Sequence, residues 1–162
     1  MPDLVSARVH LRDAGGIDDI AAARALFEEY AASIGVDLCF QGFAEELASL
    51  PGAYAPPRGC LLLAERDQPV GCVALRPLDA GTGEVKRLYV RPAARGEGVG
   101  ALLAHAVVDR ARVCGYRELK LDTLATMTAA HALYASLGFR RCAPYYDNPL
   151  PGVTYMSLAL TA

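Results

Sequence analysis

Between Glu84 and Leu103 the chain reads Glu-Val-Lys-Arg-Leu-Tyr-Val-Arg-Pro-Ala-Ala-Arg-Gly-Glu-Gly-Val-Gly-Ala-Leu-Leu, and no other stretch restricts its fold as tightly. A β-prone run ends at Pro92, and Gly96, Gly98 and Gly100 then open an apolar helical pattern. Glycines let a backbone approach a ligand closely, and the first-turn N–H groups of a helix have no partner within it. With the helix dipole they form a seat for a phosphate or pyrophosphate. A P-loop is excluded because no Gly-Lys-Ser/Thr follows. A dinucleotide fingerprint needs Gly-x-Gly-x-x-Gly, and here the third glycine comes one residue early. Asp122 falls near the place of that motif's acidic residue, so a nicotinamide dinucleotide stays open as an alternative ligand.

The rest of the chain organises around this segment. Leu4 to Leu11 alternates as a strand, and Asp18 opens a helix in which Ile20, Ala23, Phe27, Tyr30 and Ile34 recur at helical spacing until Gly35. A shorter helix spans Phe43 to Leu50, and Pro51 to Pro57 is a loop. Cys60–Glu65 and Val70–Leu75 form a hairpin, a turn covers Asp79 to Gly83, and a strand follows from Glu84 to Val90. A helix covers Gly98 to Cys114, with Leu102, Leu103, Ala106, Val107, Val113 and Cys114 inward and His105, Asp109 and Arg112 outward. Then come a strand at Leu119–Thr123, a helix at Met127–Leu137, a strand at Phe139–Cys142 and a last strand at Thr154–Leu160. This order predicts a mixed central sheet of six to seven strands with helices on both faces, in one domain spanning residues 1–162.

Charge and cysteines remove other classes. The formal net charge is −2, and Lys86, Arg87, Arg91 and Arg95 are too few for a duplex, so no nucleic-acid partner is expected. Five cysteines without a Cys-x-x-Cys pair argue against a disulfide framework and against a metal site. With no signal peptide expected in Met1 to Arg12 and no apolar run long enough for a membrane helix, a cytoplasmic protein without membrane contact is expected.

Arg95-Gly-Glu-Gly-Val-Gly resembles the (Gln/Arg)-x-x-Gly-x-(Gly/Ala) signature of the GNAT N-acetyltransferases, and Leu133-Tyr134-Ala-Ser-Leu-Gly138-Phe139 resembles the second hallmark of that family, Leu-Tyr-x-x-x-Gly-Phe. The resemblance runs from about Glu84 to Arg140. It implies the GNAT acyl-CoA N-acyltransferase fold, acetyl-CoA as co-substrate and a subunit able to form a homodimer, while the mild acidity of the chain suits a small-molecule amine or amino-acid-like acceptor better than an acidic one. It further implies that Leu88, Tyr89 and Val90 hold the pantetheine arm like an added strand. The loop of Arg95, Gly96, Glu97, Gly98, Val99, Gly100 and Ala101 would then take the pyrophosphate.

Acetyl transfer needs a neutral amine and a protonated leaving thiolate, so the protein supplies mainly position and proton transfer. Tyr134 matches the family tyrosine that protonates or hydrogen-bonds the leaving sulfur, although its helix also suits a core aromatic. Glu84 is the candidate base, with an ion pair to Lys86 as its structural alternative; Glu45, Glu46, Tyr30 and His131 are further candidates. His10 and His105 read as structural. Many relatives place an asparagine seven residues before the tyrosine, where this chain has Met127; either a backbone group, Thr123 or Thr126 takes over its contact or the arm is gripped less polarly, and His131 borders the same arm. Acceptor recognition falls to Tyr30–Tyr54 and Ala143–Gly152, where Tyr145, Tyr146 and Asp147 suit either a small cation or a rigid turn. A sensor that binds acetyl-CoA without turnover, or an enzyme acting on a protein amine, is the alternative class.

Overall fold

The computed structural model describes residues 8–35 and 37–160, so the expected strand at Leu4–Leu11 lies partly outside the described residues. Its visible part is β1 (His10–Asp13), which pairs antiparallel with β2 (Cys60–Glu65). Between them lie α1 (Gly16–Ile34) and α2 (Phe43–Ser49). β2 forms the expected hairpin with β3 (Pro69–Pro77), and β3 pairs antiparallel with β4 (Thr82–Val90). Helix α3 (Val99–Val113) carries the chain to β5 (Glu118–Thr123), which lies parallel to β4. After α4 (Thr128–Ser136), β6 (Arg140–Arg141) and β7 (Thr154–Ala159) complete a seven-stranded sheet of order β1-β2-β3-β4-β5-β7-β6.

The apolar run of β2 is buried on both faces because successive side chains point to opposite sides of a strand. Cys60, Leu62 and Ala64 pack with Leu103 and Val107 of α3. Leu61 and Leu63 pack with Ala23, Leu26 and Phe27 of α1. Each fully buried leucine or valine contributes about 1.5–3 kcal/mol. The inward stripe of α3 is Val99, Leu103, Ala104, Val107, Val108 and Ala111. Leu102 and Val113, expected inward, are 46% and 82% exposed. Alanines fill the stripe instead, because a helix apolar nearly all round leaves its facing to tertiary packing.

Strand β4 begins at Thr82, two residues before the expected start, and it changes character along its length. Its pairing to β5 ends at Glu84 opposite Lys120, while β5 goes on to pair with β7 as far as Thr123. The register against β3 shifts between Cys72, opposite Tyr89, and Ala74, opposite Lys86. At that bulge Arg87 has φ of 62°, the only positive φ of a non-glycine among the described residues. A left-handed arginine costs about 1–3 kcal/mol and persists only where its surroundings enforce it.

Candidate active site

The divergence of β4 and β5 leaves the backbone of residues 85–90 without a strand on its β5 side. Beside it lies a groove of about 590 Å³, lined by Leu88, Tyr89, Val90, Arg95, Gly96, Gly98, Val99 and Gly100 on one wall. Thr126, Met127, Thr128 and Leu133 line the opposite wall, where α4 begins. Gly96 and Gly98 have φ of 82° and 81°, and a Cβ at either would meet nothing within 4 Å, so the loop presents bare backbone to open space. The first-turn amides of α3 follow directly and have no acceptor within the helix. Backbone donors, a helix N-terminus and an unpaired strand edge together fit the pyrophosphate and amide-bearing arm of coenzyme A.

Two residues of the expected loop turn elsewhere. Glu97 pairs with Arg66 at 2.8 Å. Arg95 donates from Nε to the Val90 carbonyl at 2.9 Å, with its guanidinium 5.8 Å from the Tyr89 ring centre, so it shapes the loop as well as lining the groove. Ala101, like Glu97, does not line the groove. Thr126 and Thr128 stand where the family asparagine is missing, beside Met127. Thr123 is engaged by the imidazole of His131, which also contacts the Leu124 carbonyl at 3.1 Å. His131 therefore braces the end of β5 and is absent from the groove walls.

A narrow throat adjoins the groove, sharing Tyr30, Leu88 and Met127 with it, and its walls also include Gln41, Lys86, Arg87, Asp122, Thr123 and Tyr134. Tyr134 is buried, and burial raises the pKa of its hydroxyl above the usual value. It therefore stays protonated across the working pH range, as a proton donor must. Asp122 accepts hydrogen bonds at Oδ2 from the Tyr146 hydroxyl and from Asn148 at 2.9 Å.

Beyond the throat is a second cavity of about 260 Å³, lined by Gln41, Arg76, Leu78, Glu84, Lys86, Tyr145 and Tyr146. Glu84 is 1% exposed, and both of its oxygens are engaged. Arg76 donates to Oε1 at 2.7 Å and the Tyr145 hydroxyl donates to Oε2 at 2.6 Å. The bulge places Lys86 and Arg87 on one face, where both donate to Gln41 Oε1, at 3.2 and 3.0 Å. Arg87 also forms a two-pronged pair with Glu46 of α2, both contacts at 2.9 Å, and stacks near the Phe43 and Tyr30 rings. Among the further base candidates, Glu46 is thus committed to Arg87, Glu45 is exposed, and Tyr30 lines groove and throat.

The aromatic loop differs from the cation seat that its composition suggests. Lys86 lies 6.0 Å from the Tyr146 ring centre and Lys120 lies 5.7 Å from that of Tyr145, so the protein's own lysines occupy those faces. Asp147 is exposed. Asp122, Gln41, Arg76 and Arg87 are site residues that sequence reasoning did not place together. Two successive charges inside an apolar strand, Lys86-Arg87, were the available signal.

Among the described residues, no three His, Cys, Asp or Glu side chains are placed to hold a metal, and no helix is long and apolar enough to cross a membrane. Cys60 and Cys72 are buried free thiols, whereas Cys39 is exposed.

The chain is 42% identical over 146 residues to an uncharacterized N-acetyltransferase of Schizosaccharomyces pombe, covering 88% of this chain and 90% of that protein. It is 38% identical over 112 residues to the N-acetylaspartate synthetase of Danio rerio, covering 67% of this chain and 40% of the relative. A Salmonella typhimurium structure solved with its cofactor acetyl-CoA superimposes with a TM-score of 0.67 at 23% identity, over 96% of this chain and 95% of that one. The model of the acetyltransferase (GNAT) family matches residues 22–139, and the chain belongs to that family.

Proposed function

We propose that the chain transfers the acetyl group of acetyl-CoA to the primary amine of a small, amino-acid-like acceptor. The observation that carries this reading is the unpaired half of β4 and the glycine loop along one wall of a 590 Å³ groove, next to a throat that shares Gln41 and Lys86 with a second polar cavity. Donor and acceptor can then approach from the groove and from the cavity and meet at the throat. Acetyl-CoA would supply the activated acyl thioester.

The chain's own groups would do the rest. The amides of Gly96 to Ala101 bind phosphate oxygens, and the free edge of Leu88–Val90 orients the arm. The Tyr134 hydroxyl, kept protonated by burial, gives its proton to the departing sulfur. For the amine proton, the geometry favours Asp122 over Glu84. Both Glu84 oxygens are engaged, whereas Asp122 lines the throat and has its hydrogen bonds at one oxygen only. Glu84 then acts by holding Arg76 and Tyr145 in place. Buried free thiols at Cys60 and Cys72 suit a reducing, cytoplasmic setting.

An N-acetylaspartate synthetase among the relatives supports a small amino-acid acceptor over a protein amine. A thiol-release assay with acetyl-CoA, run over small amines, amino acids and lysine-containing peptides, tests the reading. Release with a small amine or amino acid is expected. Release with peptides alone would replace the acceptor class, and acetyl-CoA binding without release from any acceptor would favour the sensor.

A further inference from the structure

The side chain of Lys86 is 4% exposed. A lysine ammonium has three N–H donors, and burying them without partners is costly. Here one donor reaches Gln41 Oε1 at 3.2 Å, while the nearest carboxylate oxygen, on Glu84, is 4.0 Å away and already accepts from Arg76. Burial holds the lysine below its usual pKa, as expected for a cation whose surroundings do not fully compensate it.

The same ammonium is shared between the throat and the 260 Å³ cavity. Arg76 lines that cavity too; its Nε is taken by Glu84, and among the described residues no hydrogen bond engages its two terminal nitrogens. Lys86, Arg76 and Glu84 are the charged groups of the cavity wall and leave it one positive charge in excess. The throat adds a carboxylate, Asp122, beside Lys86 and an Arg87 that is already paired with Glu46.

We infer that the acceptor is an amino acid whose carboxylate is seated on Lys86, within reach of the Arg76 fork, while its amine enters the throat beside Asp122. This rests on the acetyltransferase reading and adds the chemical class of the acceptor and the residue that selects it. A carboxylate supplies the missing acceptors for a nearly dehydrated ammonium, and such charge-assisted bonds are the strong ones. Lys86 and Arg76 at the cavity and the Asp122 carboxylate in the throat match the two ends of a zwitterion in one orientation. A simple alkylamine would leave Lys86 as it is and gain nothing from it. The cavity size suits a compact amino acid.

The test pairs amino acids with amides that lack every carboxylate: L-alanine with L-alaninamide, β-alanine with β-alaninamide, and L-aspartate with its diamide. The amides have the less basic amines, so chemistry alone would favour them. In thiol-release assays the wild type is expected to prefer the carboxylate member of at least one pair by tenfold or more in kcat/KM. Lys86→Met should lower kcat/KM for that acceptor by about ten- to a hundredfold, leave the amide within about threefold, and keep acetyl-CoA affinity. Lys86→Arg should restore part of the preference.

Amides used as well as amino acids by the wild type, or equal losses on both in Lys86→Met, would overturn the inference and leave the acetyltransferase reading standing. Binding of the same pairs is also followed by NMR in the presence of coenzyme A. Carboxylate binding that depends on Lys86, without turnover, would support the seat and remove the acetyltransferase reading alone. Neither binding nor turnover of any carboxylate member would overturn the seat.

Discussion

On the proposed donor side of β4, one stretch, residues 88–100, provides most of one wall of the groove and offers chiefly backbone. On the acceptor side, Gln41, Arg76, Glu84, Lys86, Tyr145 and Tyr146 arrive from four separate parts of the chain and offer side chains. Backbone recognition is indifferent to most substitutions but demands glycine where bare amides must face a ligand. Side-chain recognition can be rewritten one residue at a time. The junction between the two sides is the bulge at Arg87.

The largest effect expected on the donor side comes from Gly98→Trp. The indole would project into open space at the loop and occupy the pyrophosphate seat. Titration calorimetry should show acetyl-CoA binding weakened more than a hundredfold, while thermal melting records only the one or two kcal/mol, roughly, of a left-handed non-glycine residue. Binding at wild-type strength would place the phosphates elsewhere.

At the junction, Tyr134→Phe and Asp122→Asn should each lower kcat by about 10²-fold or more with acetyl-CoA affinity within threefold. Tyr134 titrates above its ordinary range because it is buried. Its loss should therefore lower the rate at every pH up to about 10 without shifting an alkaline limb. An unchanged kcat in a chemistry-limited assay would remove either residue from proton transfer.

Much of the donor side was legible because its signal is local: a strand, three glycines and a helix in sequence order, and Tyr134 within a short motif. The acceptor side was not, because its contacts join positions far apart, such as Gln41 with Tyr146, 105 residues away, and Arg87 with Glu46, 41 residues away. Ordinary strand alternation puts Lys86 and Arg87 on opposite faces, and only the bulge brings them together at Gln41. The facing of α3 was ambiguous for a related reason: with apolar residues nearly all round, Leu102 and Val113 qualified for the core on pattern but are exposed.

Glu46→Ala sharpens the role of the junction. The Arg87 side chain is 2% exposed and would be left as an unpaired buried cation on a strained backbone. Stability measured by urea unfolding should fall by about 3 kcal/mol, and KM for the acceptor should rise more than that for acetyl-CoA. Equal changes in both KM values would mean that the bulge serves the two sides alike.

The smallest effect expected is a gain. Met127 is the N-cap of α4 and makes no capping hydrogen bond. Met127→Asn should stabilise the fold by about 1 kcal/mol through the cap and change acetyl-CoA affinity by less than tenfold. A larger gain in affinity would show that the groove lacks a polar contact that Thr126 and Thr128 do not provide.

The most direct test of a coenzyme A groove is isothermal titration of the purified protein with acetyl-CoA and, in parallel, with NAD⁺. Saturable one-to-one binding of acetyl-CoA, with no heat from NAD⁺, is the predicted result. Binding of NAD⁺ in its place, or of neither, would contradict the assignment of the glycine loop and the open edge of β4 to the acyl donor.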